Sequence, residues 1–397
     1  QGSAGRDNLS VAFSGEIKDL IAFSGVDLKV NGSGRDLAEV GALIDRKLPA
    51  TDEFSLEGRL TGSAEALSLK NAQAAARRGR LHLSFNGGVK NLLTLRGLDL
   101  QSELTGTDLT EFGKIIGAKL PATDQFEVLG RLTGSVKSMA LQKASGRAKW
   151  GSVSLALKGE IMDLLDLGGM DLHFQGSGKN LAKLEPVTGK KLLATDAFRV
   201  QGRLRGSTKA LSLLEAEGHA RRGGLNLTLN GEIKELLALE GIHVNLKASG
   251  KDLSEVGPII GDELKLPTTD NFTVQGRLKG STKALSLQEA MGRASRDGMS
   301  VAVDGEIMDV LALKSINVRL KASGKELAAI GPLVGANLPK IGPFDVRGHL
   351  IGSAKLLLLN EFSAIVDKSD FKGLAKIEFR KRCLLYTSDA ADDAMTV

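Results

Sequence analysis

Residues 271–281 read Asn-Phe-Thr-Val-Gln-Gly-Arg-Leu-Lys-Gly-Ser, and the pattern of this stretch indicates the fold class. Phe272, Val274 and Leu278, with two glycines, alternate with Thr, Gln, Arg, Lys and Ser. Such alternation is typical of a β-strand with one apolar and one solvated face, because successive side chains of a strand point to opposite sides.

The same stretch recurs along the chain. Its Gly-Arg-Leu-x-Gly-Ser motif begins at Gly58, Gly130, Gly202 and Gly276, and the variant Gly-His-Leu-Ile-Gly-Ser begins at Gly348. The intervals are 72 residues, apart from one of 74. A second marker, Gly-Glu-Ile, keeps the same register at Gly15, Gly159, Gly231 and Gly305. A period of this length indicates a tandem-repeat architecture.

The markers divide the chain into repeats. We predict a partial repeat (1–25), four complete repeats (26–97, 98–169, 170–241, 242–315), a nearly complete repeat (316–382) and a non-repeat tail (383–397) outside the fold. The two extra residues of the fourth repeat fall between Gly261 and Pro267, which predicts a surface loop. Because the chain begins within a repeat, without Met, we expect a piece of a longer protein.

Within one repeat, residues 242–250 and 299–307 alternate as strongly as the opening stretch. Two weaker strands are predicted around 285–287 and 290–294, and the turn at 296–298 contains Asp-Gly, a hairpin signal. These segments predict about five strands per repeat.

One segment breaks the alternation. Residues 252–260 place apolar residues three and four apart, with Asp252 as a helix N-cap and Glu255 at the capping-box spacing. Residues 235–239 are compatible with a further helical turn. The predicted fold class is therefore all-β with short helices: an elongated tandem-repeat curved antiparallel β-sheet or groove, with about five strands and one short helix per ~72-residue unit.

Glycine is abundant, with 48 residues, whereas aromatic residues make up only 4% of the chain. Large side chains would be needed to fill a closed β-sandwich, and glycine on the apolar face leaves space there. This favours an open groove for acyl chains, although a closed sandwich stays an alternative.

The predicted lining of that groove is the apolar face of two strands in each repeat. Its members are Leu81, Leu83, Phe85, Phe126, Val128, Val153, Leu155, Leu157, Phe198, Val200, Leu225, Leu227, Leu229, Phe272, Val274, Met299, Val301 and Val303.

Other kinds of site are not predicted. The single cysteine, Cys383, and five scattered histidines offer no metal-ligand spacing, and no catalytic constellation or cofactor motif is present, so we expect no enzyme. A net charge of +6 spread over 397 residues is too diffuse to indicate nucleic acid. Four recurring arginines lie on the polar face: Arg59, Arg131, Arg203 and Arg277. They either form a solvated surface that keeps the sheet soluble or contact anionic headgroups.

Residues 338–350, Leu-Pro-Lys-Ile-Gly-Pro-Phe-Asp-Val-Arg-Gly-His-Leu, and the closing Phe371-Lys372-Gly373-Leu374 resemble the AsmA-like family of bacterial envelope proteins. The resemblance implies a sheet with an apolar interior, held in the periplasm of a Gram-negative bacterium by an N-terminal inner-membrane anchor that lies outside this sequence. It also implies phospholipid or another acyl lipid as the ligand and other envelope proteins as partners.

The expected function is to bind or conduct phospholipid acyl chains along a continuous apolar β-groove, supporting lipid transport and outer-membrane homeostasis. The alternative is a structural or adhesive β-repeat rod with a filled apolar interior.

Overall fold

The computed structural model describes residues 1–6, 8–43, 48–116, 120–189, 191–257, 266–310, 312–331, 337–380 and 383–387. The chain divides into two compact units. Unit 1 comprises Gln1–Leu192 and Gln201–Leu211, and unit 2 comprises Leu193–Val200 and Ser212–Val397.

Unit 1 contains eleven complete strands among its described residues, each pairing antiparallel with the next. They are β1 (Gly2–Arg6), β2 (Leu9–Asp19), β3 (Ser24–Gly34), β4 (Glu53–Ser63), β5 (Ala66–Arg78), β6 (Leu81–Asn91), β7 (Arg96–Gly106), β8 (Gln125–Ser135), β9 (Ser138–Trp150), β10 (Val153–Asp163) and β11 (Gly168–Gly178). The crossovers carry α1 (Leu37–Leu43), α2 (Leu109–Ile116), a 3₁₀ turn (Leu181–Leu184) and α3 (Glu185–Thr188).

Unit 2 repeats the plan. After β12 (Ala197–Gly206), which contributes residues to both units, come β13 (Leu211–Arg222), β14 (Leu225–Glu235), β15 (Glu240–Gly250), β16 (Asn271–Ser281), β17 (Ala284–Arg296), β18 (Met299–Ile307), β19 (Ile316–Gly324), β20 (Phe344–Ser353), β21 (Leu356–Val366), β22 (Ser369–Arg380) and β23 (Cys383–Thr387). From β13 onward each strand again pairs antiparallel with the next, and 3₁₀ turns form at Leu253–Val256 and Leu327–Ile330. The all-β prediction with short helical crossovers is confirmed.

Each repeat has four strands rather than the predicted five. The two weak strands of the fourth repeat are one strand, β17, interrupted by a β-bulge at Glu289, whose φ is +50°. Between Leu287 and Ala290 this strand advances three residues while its partner advances two. The extra residue shifts the alternation by one position, and for this reason the sequence pattern resembles two short strands.

The glycine of the Gly-Glu-Ile marker lies opposite this bulge. In β6 the marker is degenerate, but Gly87 holds its place with a φ of +148°, a conformation that other residues rarely adopt. A Cβ built there would lie 2.0 Å from the carbonyl oxygen of Asp99 on the neighbouring strand. The repeated glycine is thus required by the backbone.

The crossover that follows β7 is fastened by an Asp and a Thr. Asp108 caps α2 by accepting from the Thr110 backbone N–H at 2.9 Å. Thr123 accepts from the Leu109 N–H at 3.0 Å and donates to the Thr107 carbonyl at 2.8 Å. The predicted capping Asp is therefore present, and the Thr is a partner that the sequence pattern did not identify.

Asp252 makes the same cap, accepting from the Ser254 N–H at 2.9 Å and the Thr269 N–H at 3.3 Å. The side chain of Glu255, predicted to complete a capping box, instead lies beside Gly223 and Gly224 of the neighbouring turn.

The structure confirms one further local prediction, a turn, and differs from two others, a helical turn and the tail. The turn at 296–298 joins β17 and β18, with positive φ at Asp297 and Gly298. Residues 236–239 are not helical, because Glu235 pairs with Glu240 and closes a hairpin between β14 and β15. The tail was expected outside the fold, yet Cys383–Thr387 pairs with β22. Most of the predicted loop at 261–267 lies outside the described residues.

Candidate apolar trough

The predicted lining residues fall into three rows across the strands. The first row, at the strand ends next to the crossovers, is buried: Leu81, Phe126, Val153, Phe198, Leu225, Phe272 and Met299. In unit 1, Leu81, Leu104 and Phe126 form a cluster that Leu109, Phe112 and Ile115 of α2 cover. In unit 2, Leu225, Ala248 and Phe272 pack against Leu253 and Val256 of the crossover. All seven residues are buried, and five of them, Leu81, Phe126, Leu225, Phe272 and Met299, belong to such clusters.

The second row is half-buried and flanks those clusters. Its members are Leu83, Val128, Leu155, Val200, Leu227, Val274 and Val301. Leu83 and Val128 pack against the cluster of unit 1, and Leu227 and Val274 pack against that of unit 2. The crossovers therefore reach only part of the way across the apolar face.

The third row is the most open. It consists of Phe85, Leu157, Leu229 and Val303, with Phe13 at the equivalent place in the partial repeat. Leu229 is 42% exposed and Phe13 is 43% exposed, although both lie on the apolar face of a strand. Within each unit separately, we call this third row, with the glycines beside it, the apolar trough.

Glycines leave space next to the open row. Gly218 pairs with Leu229 across β13 and β14, and a Cβ on Gly218 would meet the Leu229 Cβ at 3.8 Å and the Val200 Cγ1 at 3.9 Å. These are ordinary van der Waals distances, and the φ of Gly218 is not in the left-handed region. A larger side chain is sterically acceptable there, so the backbone does not require this glycine.

In unit 2 the rows enclose a cleft of about 170 Å³. Five predicted residues line it: Phe272, Val274, Met299, Val301 and Val303. Arg296 also lines the cleft, and its guanidinium donates to Thr268 at 2.8 Å and forms an ion pair with Asp297 at 3.2 Å. Arg293 lines the cleft as well, so its apolar wall is bordered by two arginines.

A second buried cluster closes the far end of the apolar face in unit 1. Leu69, Ala72, Val89 and Leu98 form its core. Leu92, from the turn after β6, packs against this core. The sequence prediction omitted these residues, although the recurrence of Val89 as Ile17, Ile161, Ile233 and Ile307 was a usable signal.

Larger clefts, of about 1240 and 820 Å³, lie on the hydrophilic face of unit 1. An arginine in each of these clefts is paired with an aspartate. Arg131 donates to both carboxylate oxygens of Asp99 at 2.6 Å, and Arg59 does the same to Asp27. Each arginine holds the pKa of its aspartate below the ordinary value. Because these cations already have carboxylate partners, we place the candidate site on the apolar face despite its smaller cleft.

Within the described residues, no group of three or more His, Cys, Asp or Glu side chains is arranged to hold a metal ion. None of the helices in the described ranges is long and apolar enough to cross a membrane.

Comparisons with known proteins identify no relative. No family model matches the chain, and no curated protein or solved structure matches it either.

Proposed function

We propose that the chain binds or conducts phospholipid acyl chains on the apolar face of its repeats, as an AsmA-like envelope protein that supports lipid transport and outer-membrane homeostasis. The observation that carries the proposal is the apolar trough: the side chain of Leu229 stays 42% exposed on the apolar face, beside Gly218, where a filled core would bury it. Exposed apolar patches mark binding sites, and Leu229 is the exposed member of the trough in unit 2.

The size of the cleft defines how an acyl chain would bind. Each methylene buried in the cleft near Gly292 would contribute only ~0.8 kcal/mol, before the cost of ordering the lipid, and the residues that line the cleft belong to a single repeat. That is too little for stable capture, so an acyl chain would contact more than one repeat.

The proposal is tested by placing a photo-crosslinking amino acid at Leu157 or Leu229, and at the outward neighbours Lys158 or Asn230 as matched controls. Lipid adducts are expected at the inward positions only, after incubation with phospholipid vesicles. Equal labelling at inward and outward positions, or no adduct at either, would exclude the trough as a lipid site.

A structural or adhesive rod with a filled interior is the second candidate. The observation in its favour is that seven of the predicted lining residues are buried, at the strand ends next to the crossovers. In a rod, adding apolar bulk at Gly218 would only strengthen the packing, whereas in a lipid-binding protein it would also obstruct the ligand.

A further inference from the structure

The hairpin turns along one edge of the sheet carry aliphatic side chains that point into solvent. In unit 1 these turns lie between β2 and β3, β6 and β7, and β10 and β11, on the edge opposite the crossovers. Ile21 is 101% exposed, Leu93 is 58% exposed and Leu165 is 57% exposed, and each occupies the same place in its repeat. In unit 2, the equivalent Leu237 is 58% exposed. We call the three turns of unit 1, and the turns beside them on the same edge of that unit, the turn edge.

The exposed hydrophobic side chains of unit 1 are concentrated at the turn edge. Among the residues of unit 1 that the structure describes, ten large hydrophobic side chains are exposed, and nine of them lie in or next to turns of this edge. The nine are Leu20, Ile21, Phe23, Leu93, Leu95, Val136, Met162, Leu165 and Leu167, whereas the tenth is Phe13 of the trough. The crossover edge of unit 1 presents polar turns such as Arg78-Gly79-Arg80.

The apolar residues at the tips of these turns are held in place by neighbouring residues. Leu92 packs into the core cluster, and its backbone N–H donates to the Leu67 carbonyl at 2.7 Å, which directs the adjacent Leu93 outward. In the third turn, Leu164 donates to the Met139 carbonyl at 2.7 Å in the same way. The outward leucines are therefore held in place, and their exposure does not arise from a loose loop.

Lysines alternate with the apolar tips on the same edge. The two-residue turn between β8 and β9 exposes Lys137, and the four-residue segment after β12 exposes Lys209; in unit 2 Lys283 and Lys355 hold the equivalent places. The first of these turns carries Glu65 instead. Four strands separate successive apolar tips, or about 19 Å at ~4.8 Å per strand. This spacing is too wide for one small ligand and suits a broad, flat surface.

We infer that the turn edge docks on the surface of a lipid bilayer that contains anionic headgroups. The aliphatic tips enter the boundary between headgroups and acyl chains, and the lysines between them contact phosphates. This docking surface is distinct from the apolar trough, so either one can operate without the other.

Vesicle flotation tests the inference with the full chain. We compare wild type with the triple variant Ile21→Ser, Leu93→Ser, Leu165→Ser on vesicles of phosphatidylethanolamine and phosphatidylglycerol. The matched control is Met291→Ser, Ile351→Ser, Ile365→Ser, which removes three exposed apolar side chains from strands instead. The tip variant is expected to lose at least tenfold in apparent vesicle affinity, while the control keeps wild-type affinity and both keep wild-type circular dichroism.

A second arm addresses charge. Lys137→Ser with Lys209→Ser is expected to weaken binding to these vesicles severalfold and to leave binding to phosphatidylcholine vesicles unchanged, and added salt should reproduce the loss. Unchanged flotation of the tip variant would overturn the inference. A tip variant that loses self-association in sedimentation but keeps wild-type flotation would also overturn the inference, because the turn edge would then contact a second copy of the chain. Crosslinking of lipid at Leu229 is expected to survive in the tip variant, which separates this test from that of the trough.

Discussion

Substitution of Gly218 by Leu separates a lipid-binding trough from a filled rod. The new side chain would project from β13 onto the apolar face, between Leu229 and Val200. Because a Cβ at this position has no contact closer than 3.8 Å and the backbone φ is ordinary, the substitution should not distort the sheet. The matched control is His219→Leu, which adds the same side chain to the opposite, solvated face.

Gly218→Leu is expected to raise the stability of the fold and to lower its affinity for lipid. Removing glycine from a strand interior should stabilise the fold by ~0.5–1 kcal/mol, and partial burial of the leucine should add about 1 kcal/mol. The same side chain displaces ligand from the trough. Loss of three or four methylene contacts at ~0.8 kcal/mol each would weaken lipid binding at this repeat by about 3 kcal/mol, or on the order of a hundredfold.

Two measurements read these effects independently. Urea unfolding followed by circular dichroism should give a higher midpoint for Gly218→Leu than for wild type. Lipid adducts formed by a photo-crosslinker at Leu229, directly across from the substitution, should fall by at least tenfold, while His219→Leu should leave them unchanged. A more stable variant with undiminished adducts would refute the trough, and a less stable one would refute the packing described for Gly218.

Three other predictions concern the fold. Gly87→Ala is expected to cost about 1–3 kcal/mol, or to prevent folding, because its Cβ would meet the Asp99 carbonyl oxygen at 2.0 Å; urea unfolding measures the loss. Thr123→Val should cost about 1–3 kcal/mol in the same assay, since it leaves the Leu109 N–H without its acceptor. Because Arg131 lowers the pKa of Asp99, this ion pair contributes stability above the ordinary carboxyl pKa of ~3.9 and loses it as the pH falls further; Asp99→Asn should reduce that acid dependence, and an unchanged acid limb would contradict the pairing.

Much of the fold was predictable from the sequence because it depends on local periodicity. The alternation in residues 271–281 identifies a strand, and its recurrence identifies the repeat. Asp252 identifies the start of the crossover because a capping side chain acts within a few residues of its own position. The number of strands could not be predicted, because the left-handed residue Glu289 allows one strand to continue through a break in the pattern.

Between bulges, the sequence alone shows which side chains share a face, because successive residues of a strand point to opposite sides. Which of those side chains are covered depends on the tertiary structure. Phe272 and Leu229 both belong to the apolar face, yet Phe272 is 3% exposed beneath the crossover whereas Leu229 stays open beside Gly218. Burial depends on what another segment places over a side chain. The reach of a crossover across the sheet is not encoded in the alternation of the strand that it covers.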